Sequence, residues 1–192
     1  MDDYFEREAN GTRDKILCSA AKLIGAKGYA KVSVRDIAED AGVSLGQITY
    51  HFKSKDALFI EIVERLTRSF FEDFKKMPKG KNSGREKAAV ALRHSKKTLL
   101  KSTQERKMLM DFSNMAMWSR EYAYEFRRLF EEMELALKSD SPSSGDDTSD
   151  SEIVRITSTV TIGVSMFHII TGDKQVLDIF DKVAGIFEKN AQ

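Results

Sequence analysis

The 192-residue sequence contains a single cysteine, two prolines and no long uninterrupted hydrophobic run. Cys18 by itself cannot form an intramolecular disulfide or the cysteine cluster of a structural zinc site. Because proline and glycine are both scarce, a turn-rich all-β sandwich and an extensively disordered chain are unfavourable. These absences favour a mostly helical protein.

Targeting and membrane signals are also missing. The sequence starts with a methionine and two aspartates, and no apolar segment typical of a signal peptide follows. The longest apolar-leaning stretch, residues 160–170, is interrupted by Thr161 and Ser165 and is shorter than a bilayer span. We therefore expect a cytoplasmic protein that does not insert into a membrane.

The net charge of +1 favours no particular partner, but the charges are unevenly distributed. Residues 12–55 hold eight basic and four acidic side chains, and residues 75–107 hold twelve basic and two acidic ones. Residues 139–152 contain five acidic side chains and no basic one. The basic first half is compatible with a polyanionic partner, although a basic run such as 75–107 is most often a solvated helix face.

Residues that commonly perform catalysis are not grouped. His94 and His168 lie on separate helical patterns, and neither has a carboxylate or cysteine at the spacing of a metal site or a catalytic triad. We expect no enzymatic activity, no metal and no cofactor.

Two short helices with matching start signals follow one another near the N-terminus. Ser33 precedes Asp36 by three residues, and Ser44 precedes Gln47 by three, which is the spacing of a capping box. Gly42 lies between the two patterns and permits a tight turn. The arrangement describes a helix-turn-helix, whose second helix is offered to the major groove of DNA.

Helical spacing of apolar residues continues through the rest of the chain. Thr12 is expected to cap the first helix, and Pro78 to limit a long fourth one. Residues 152–170 are rich in Ile, Val and Thr, which would suit a strand, but their length without a turn favours a buried helix. The pattern predicts an all-α fold of about nine helices, with a mobile loop at 139–151.

A series of spaced motifs surrounds the two capped helices. They are Ala20-Ala21, Gly28-Tyr29, Val34-Arg35-Asp36-Ile37-Ala38, Ala41-Gly42-Val43-Ser44, Gly46, Tyr50-His51-Phe52, Ser54-Lys55-Asp56 and Leu58. In this order and spacing, over about residues 12–60, the sequence resembles the TetR family of transcriptional repressors. Thr49 departs from the family pattern, which usually has an aromatic residue directly before the position of Tyr50.

The resemblance implies an N-terminal arm and helix-turn-helix domain over residues 1–52. Residues 53–192 would then form a connector helix with an effector-binding and dimerisation domain. The implied function is a ligand-responsive transcriptional regulator, a repressor, that binds a palindromic operator in double-stranded DNA as a homodimer and is released by a small-molecule effector. The alternative is a ligand-free architectural DNA-binding protein or a protein-interaction module.

The second capped helix carries side chains suited to reading bases. Gln47 can pair with adenine, and Thr49 can contact a thymine methyl group. The resemblance implies phosphate contacts near both ends of this region, although His51 could instead be a packing residue and Lys53 a solvated charge. The predicted DNA-binding residues are Ser33, Arg35, Ser44, Leu45, Gly46, Gln47, Thr49, Tyr50, His51, Lys53 and Lys55.

Methionine and aromatic residues crowd into residues 108–126. Flexible methionines and flat aromatic rings tolerate varied ligands, so the segment predicts an apolar cavity for a neutral or weakly polar lipophilic effector, with ordinary core packing as the alternative. The predicted lining residues are Phe70, Phe74, Met108, Phe112, Met115, Trp118, Tyr122 and Phe126.

The family resemblance also implies that the last two long helices, at about 152–170 and 174–189, pair with those of a second copy. Small residues such as Thr157 would allow close approach of the helices. The predicted interface residues are Val160, Gly163, Val164, Phe167, Val176, Phe180 and Phe187.

Overall fold

A computed structural model describes residues 11–75, 83–101, 103–137 and 150–189, and the side chains of 69–75 and 150 lie outside this description. The described residues form nine α-helices and two short 3-10 helices, Tyr29–Lys31 and Gln175–Leu177, and contain no strand. The α-helices are α1 Thr12–Lys27, α2 Val34–Ala41, α3 Leu45–His51, α4 Lys55–Lys75, α5 Gly84–Lys101, α6 Gln104–Trp118, α7 Arg120–Leu137, α8 Asp150–Thr171 and α9 Asp178–Lys189. The predicted all-α fold is confirmed.

The observed starts of two helices differ from the predicted ones. Gly11, with an extended backbone, occupies the N-cap position of α1, so Thr12 is the first helical residue and does not cap the helix. Helix α8 begins at Asp150, inside the predicted loop at 139–151. The remainder of that loop and the predicted N-terminal arm lie outside the described residues. The ambiguous stretch at 152–170 is helical, as its length indicated.

The chain divides into two compact units, the first formed by residues 1–67 with 104–125. In this unit α1 packs against α2, α3 and α6. Its buried apolar side chains include Ile16, Leu17 and Ile24 of α1, Ile37 of α2 and Ile48 of α3. The three short N-terminal helices therefore share one core, and α3 contributes only one side of its surface to it.

The second unit comprises residues 68–103 and 126–192, and here α5 packs against both α8 and α9. Leu92 and Leu99 of α5 meet Phe180 and Phe187 of α9 in a buried core. Ion pairs border this core: Arg93 pairs with Glu188, and Lys96 Nζ lies 2.6 Å from Asp181 Oδ2 and 3.1 Å from Asp178 Oδ1. Part of the basic run at 75–107 thus joins α5 to α9 and is not simply a solvated face.

These compact units do not follow the predicted division after residue 52. The first part of α4 and all of α6 pack in the same unit as the helix-turn-helix. A functional boundary at residue 52 stays a prediction.

One helix among the described residues is long and apolar enough to cross a membrane by length and composition alone, the segment Ser151–Thr171 of α8. The expectation that no segment reaches this length is wrong, because the helix starts ten residues before the stretch at 160–170. A core helix of a soluble protein meets the same criterion, but only 33% of the apolar window is buried within the chain. Much of the apolar surface of α8 is therefore exposed in a single copy.

Candidate nucleic-acid interface

Both predicted capping boxes are present. The backbone N–H of Asp36 donates to Ser33 Oγ at 3.1 Å, and that of Ser33 donates to Asp36 Oδ2 at 2.7 Å. The Ser33 hydroxyl also donates to Asp36 Oδ2. These hydrogen bonds from Ser33 lower the pKa of Asp36 below its usual value. The start of α2 therefore carries a carboxylate, which lies next to the predicted phosphate contact at Ser33.

The second box fixes the start of α3. The backbone N–H of Gln47 donates to Ser44 Oγ at 3.2 Å, and the backbone N–H of Ser44 donates to Gln47 Oε1 at 2.9 Å. The side chain of Gln47 is therefore turned back onto its own helix cap. The predicted pairing of Gln47 with adenine requires this amide to extend away from the cap.

Gly42 makes the turn between α2 and α3. Its backbone is left-handed, with φ of 65° and ψ of 36°, and its N–H returns to the carbonyls of Ala38 and Glu39. Residues with a side chain rarely adopt this conformation, so the glycine predicted from the sequence is required by the turn. The turn allows α3 to follow α2 directly.

Helix α3 presents most of its residues to solvent. Ile48 is buried, whereas Leu45, Gly46, Gln47, Thr49 and Tyr50 are exposed, the last by 85%. The half-buried ring of His51 lies edge-on to that of Tyr50, with 5.1 Å between ring centroids. Arg35, which precedes α3 in the chain, and Lys53, which follows it, are also exposed. A helix that enters the major groove of DNA needs exposed side chains on its outer surface, and α3 has them.

Lys55 differs from the other predicted DNA contacts. Its Nζ donates to the carbonyl oxygen of Tyr29 at 2.7 Å and lies 3.8 Å from the centroid of the Tyr29 ring. Burial lowers the pKa of this lysine. The structure therefore uses the Lys55 ammonium to hold the turn after α1, and a phosphate contact by this group would compete with that bond.

A further group of side chains, whose hydrogen bonds were not predicted from the sequence, ties the same turn to α6 and α7. Asp56 Oδ1 accepts hydrogen bonds from the hydroxyls of Tyr122 and Tyr29, each at 2.6 Å. These bonds, that of Tyr122 first, lower the pKa of Asp56, whereas burial raises the pKa of Tyr122. The backbone N–H of Tyr29 donates to Asp111 Oδ2 at 2.9 Å. We call Tyr29, Asp56, Asp111 and Tyr122 the Tyr29 latch.

The comparisons with known proteins concern this same part of the chain. Residues 16–62 match the family model described as bacterial regulatory proteins, tetR family. The segment belongs to the TetR family. The predicted resemblance is confirmed for these residues, which run from α1 into α4.

Two named bacterial regulators are similar in sequence to the TetR-family segment. It is 42% identical over 65 residues to the probable HTH-type transcriptional regulator YttP of Bacillus subtilis, covering 34% of this chain and 30% of that protein. It is 38% identical over 60 residues to the HTH-type transcriptional repressor KstR2 of Mycolicibacterium smegmatis, covering 31% and 27%. The chain thus matches less than a third of the length of either relative.

Beyond the TetR-family segment the likeness is one of fold. A putative transcriptional regulator from Saccharomonospora viridis, solved in complex with choline, superposes with a TM-score of 0.64 at 20% sequence identity. The superposition covers 92% of this chain and 95% of that one. At this identity the likeness shows the fold alone and does not carry a ligand across.

Three of the predicted effector-site residues whose side chains are described pack together in the first unit. Met108, Phe112 and Tyr122 are buried in the first unit, where the rings of Phe112 and Tyr122 pack edge-to-face with 5.4 Å between ring centroids. Phe59, which was not predicted, completes this packing at 6.2 and 6.4 Å from the two rings. For these residues the geometry is that of a packed core, the alternative left open by the sequence.

The other predicted lining residues are placed differently. Trp118 is 85% exposed, so it does not line an interior cavity as predicted, because it ends α6 with its side chain in solvent. Met115 is half-buried, and Phe126 packs on Phe130 in the second unit, with 5.0 Å between ring centroids. The side chains of Phe70 and Phe74 lie outside the described residues.

Three predicted interface residues are interior instead. Val164, Phe180 and Phe187 are buried in the core that α8 and α9 form with α5. Val160 and Val176 are partly buried against the same core, while Gly163 and Phe167 are exposed. The periodicity of α9 correctly indicated an apolar face, but that face is covered by the chain's own α5.

A different set of apolar side chains is exposed on the last two long helices. Those of α8 recur at helical spacing, so they lie on one side of the helix. We call this set the α8/α9 exposed face; it consists of Ile156, Ile162, Met166, Phe167, Ile170, Ile179 and Ile186. Of these seven residues only Phe167 was predicted, because apolar residues lie on both sides of α8 and periodicity does not distinguish them.

Proposed function

We propose that this protein is a transcriptional regulator, a repressor, that binds operator DNA as a homodimer and responds to a small molecule. The observation that carries the proposal is the pair of capped helices α2 and α3, joined at Gly42 with α3 exposed, within a segment of the TetR family. KstR2, which resembles this segment, is named a repressor, and this supports repression over activation.

The DNA-binding part of the proposal rests on α3 and its flanks. Exposed Leu45, Gly46, Thr49 and Tyr50 would enter the major groove, while Arg35 and Lys53 would contact phosphates. The Ser33 and Ser44 side chains are committed to their capping boxes, so they would act through the orientation of α2 and α3.

The dimer part rests on the α8/α9 exposed face. Exposed apolar side chains that are contiguous on a protein surface mark an interaction site. Helices that pair across a two-fold axis need a self-complementary face, and α8 offers Gly163 beside Ile162 and Met166, where a small residue allows close approach. Two copies would present two α3 helices to successive turns of the major groove, about 34–36 Å apart.

The effector part is supported by likeness alone. A protein of the same fold has been solved with choline bound, and the body of this chain holds half-buried Met115 and Phe126. Within the first unit, the Tyr29 latch connects α6 and α7 to the turn that precedes α2. A ligand that displaces α6 or α7 would therefore reach the DNA-binding helices through Asp111 and Tyr122.

One experiment separates the parts of this proposal. The protein is used to select DNA from a random duplex pool, and the enriched sequence is measured by fluorescence anisotropy against a scrambled duplex. We expect an inverted repeat, a mass of two chains in light scattering, and binding at least a hundredfold tighter than to the scrambled duplex. An unenriched pool would reject regulation at specific sites and favour an architectural DNA-binding protein.

The effector is then sought in a panel of small neutral lipophilic compounds, and choline, a cation bound by a protein of the same fold, is tested beside them. A compound that binds the folded state raises the melting temperature and, if it is an effector, releases the selected operator over the same concentration range. Failure of a broad panel in both measurements would leave a ligand-free DNA-binding protein, the alternative considered from the sequence.

A further inference from the structure

Two polar side chains of α3 are hydrogen-bonded within the helix and its cap. The hydroxyl of Thr49 donates to the carbonyl oxygen of Leu45 at 3.1 Å. The Oε1 of Gln47 accepts the backbone N–H of Ser44 at 2.9 Å. Reading a base by hydrogen bonds needs donors and acceptors that point into the groove, and these two are turned toward the helix itself.

Besides Tyr50 and the amide nitrogen of Gln47, the exposed side of α3 offers apolar groups. Leu45 is 44% exposed, and it lies one turn from Thr49, which is also exposed. Because the Thr49 hydroxyl is bonded within the helix, the methyl group is the part of that side chain left for an outside contact. Gly46 and Tyr50 form the neighbouring row at the same spacing. The helix therefore presents a leucine side chain and a threonine methyl group beside a position without a side chain.

Packing inside the protein gives no reason for the glycine at 46. A methyl group added there would meet only Ser44 Oγ within 4 Å, at an ordinary contact distance of 3.8 Å. Glycine within a helix is less stable than alanine by up to about 1 kcal/mol. The fold does not need a glycine at position 46, but close approach of another molecule to this face of α3 would explain it.

We propose that α3 selects its operator by contact with thymine methyl groups, through Leu45 and Thr49 over the opening at Gly46, and not by pairing of Gln47 with adenine. This inference rests on the proposed function and specifies the DNA that the site takes. Among the four bases only thymine carries a methyl group in the major groove, and an apolar contact distinguishes it there.

Uracil provides the test, since it pairs like thymine and lacks only that methyl group. Each thymine of the selected operator is replaced singly by deoxyuridine, and the ratio of the two dissociation constants is measured. We expect at least one position per half-site where the ratio is about four, the value for burying one methyl group. The ratio is independent of the fraction of active protein, so partial unfolding of a variant does not affect it.

Two substitutions assign the contact. Thr49→Ser keeps the hydroxyl and removes the methyl group, so the thymine-to-uracil ratio should fall to about one at the position that Thr49 reads. Thr49→Val keeps a methyl group and removes the hydroxyl, so the ratio should persist. If Thr49 acts only through its hydrogen bond to Leu45, the thymine-to-uracil ratio should persist in Thr49→Ser and fall in Thr49→Val.

The outcomes distinguish this inference from the proposed function. If a specific operator is enriched but every uracil replacement leaves affinity within experimental error, the methyl reading is rejected and regulation stands. If no operator is enriched, the proposed function itself fails. Equal ratios in the wild type, Thr49→Ser and Thr49→Val would reject the assignment to Thr49.

Discussion

Tyr122 donates a hydrogen bond to Asp56, with 2.6 Å between its phenolic oxygen and Oδ1 of the carboxylate. The two residues are 66 positions apart, one near the start of α7 and the other in the first turn of α4. Because Asp56 also accepts the hydroxyl of Tyr29, this one carboxylate joins three parts of the chain. The first prediction concerns that bond.

Tyr122→Phe should lower the free energy of unfolding by about 1–2 kcal/mol, because it removes a hydrogen bond to a charged group while keeping the buried ring. Chemical denaturation followed by circular dichroism measures the change. Tyr124→Phe is the matched control, since Tyr124 is exposed on the same helix, and should leave stability unchanged. Equal effects of the two substitutions would show that the latch contributes nothing.

The second prediction is a pH dependence. Hydrogen bonds from Tyr122 and Tyr29 lower the pKa of Asp56 in the folded protein, so its ionised form contributes stability above the unfolded pKa of about 3.9. That contribution is lost as the pH falls through the folded pKa. Asp56→Asn should therefore be less stable than the wild type at pH 7, and the difference should shrink below about pH 4. A difference that stays constant down to pH 2 would contradict this assignment.

The third prediction is that Gly46→Ala separates stability from DNA binding. The added methyl group has room within the protein and improves the helix, so the melting temperature should not fall and is expected to rise. Operator affinity should decrease at least tenfold, because the methyl group would stand where the DNA approaches. Unchanged affinity in anisotropy would show that α3 does not approach DNA at this residue.

The fourth prediction distinguishes the exposed face of α8 from the core beside it. Ile170, 74% exposed, lies on the α8/α9 exposed face, so Ile170→Lys should give folded monomers in light scattering. Leu135→Lys, at an equally exposed position on α7, is the control and should stay dimeric. Phe180→Ala should instead cost about 3–5 kcal/mol of stability, because Phe180 is fully buried. A dimeric Ile170→Lys protein would place the interface elsewhere.

The fifth prediction assigns different roles to two neighbouring lysines. Lys53 is exposed, so Lys53→Ala should weaken specific and random DNA alike and reduce the slope of log affinity against log salt by about one. Lys55 Nζ is bonded to the carbonyl of Tyr29, so Lys55→Ala should mainly lower the melting temperature. The reverse result, a salt-slope change confined to Lys55→Ala, would restore the phosphate contact predicted for Lys55.

The sequence by itself was sufficient for the local features of the DNA-binding part. Capping boxes at Ser33 and Ser44 and the left-handed turn at Gly42 depend on residues within four positions of each other, so their chemistry can be recognised along the chain. The same holds for the helical state of residues 152–170, which follows from length and apolar content.

Only the tertiary structure decided which apolar surfaces are covered. Helix α8 carries Val164 on one side and Met166 on another, and the sequence gives no preference between them; packing of α5 buries the first and leaves the second exposed. In the same way Phe59 of α4 meets Phe112 and Tyr122 of α6 and α7, which come much later in the chain. Whether a side chain is buried depends on the element that packs against it. Periodicity identifies the apolar face of a helix, but it does not identify the element that covers that face.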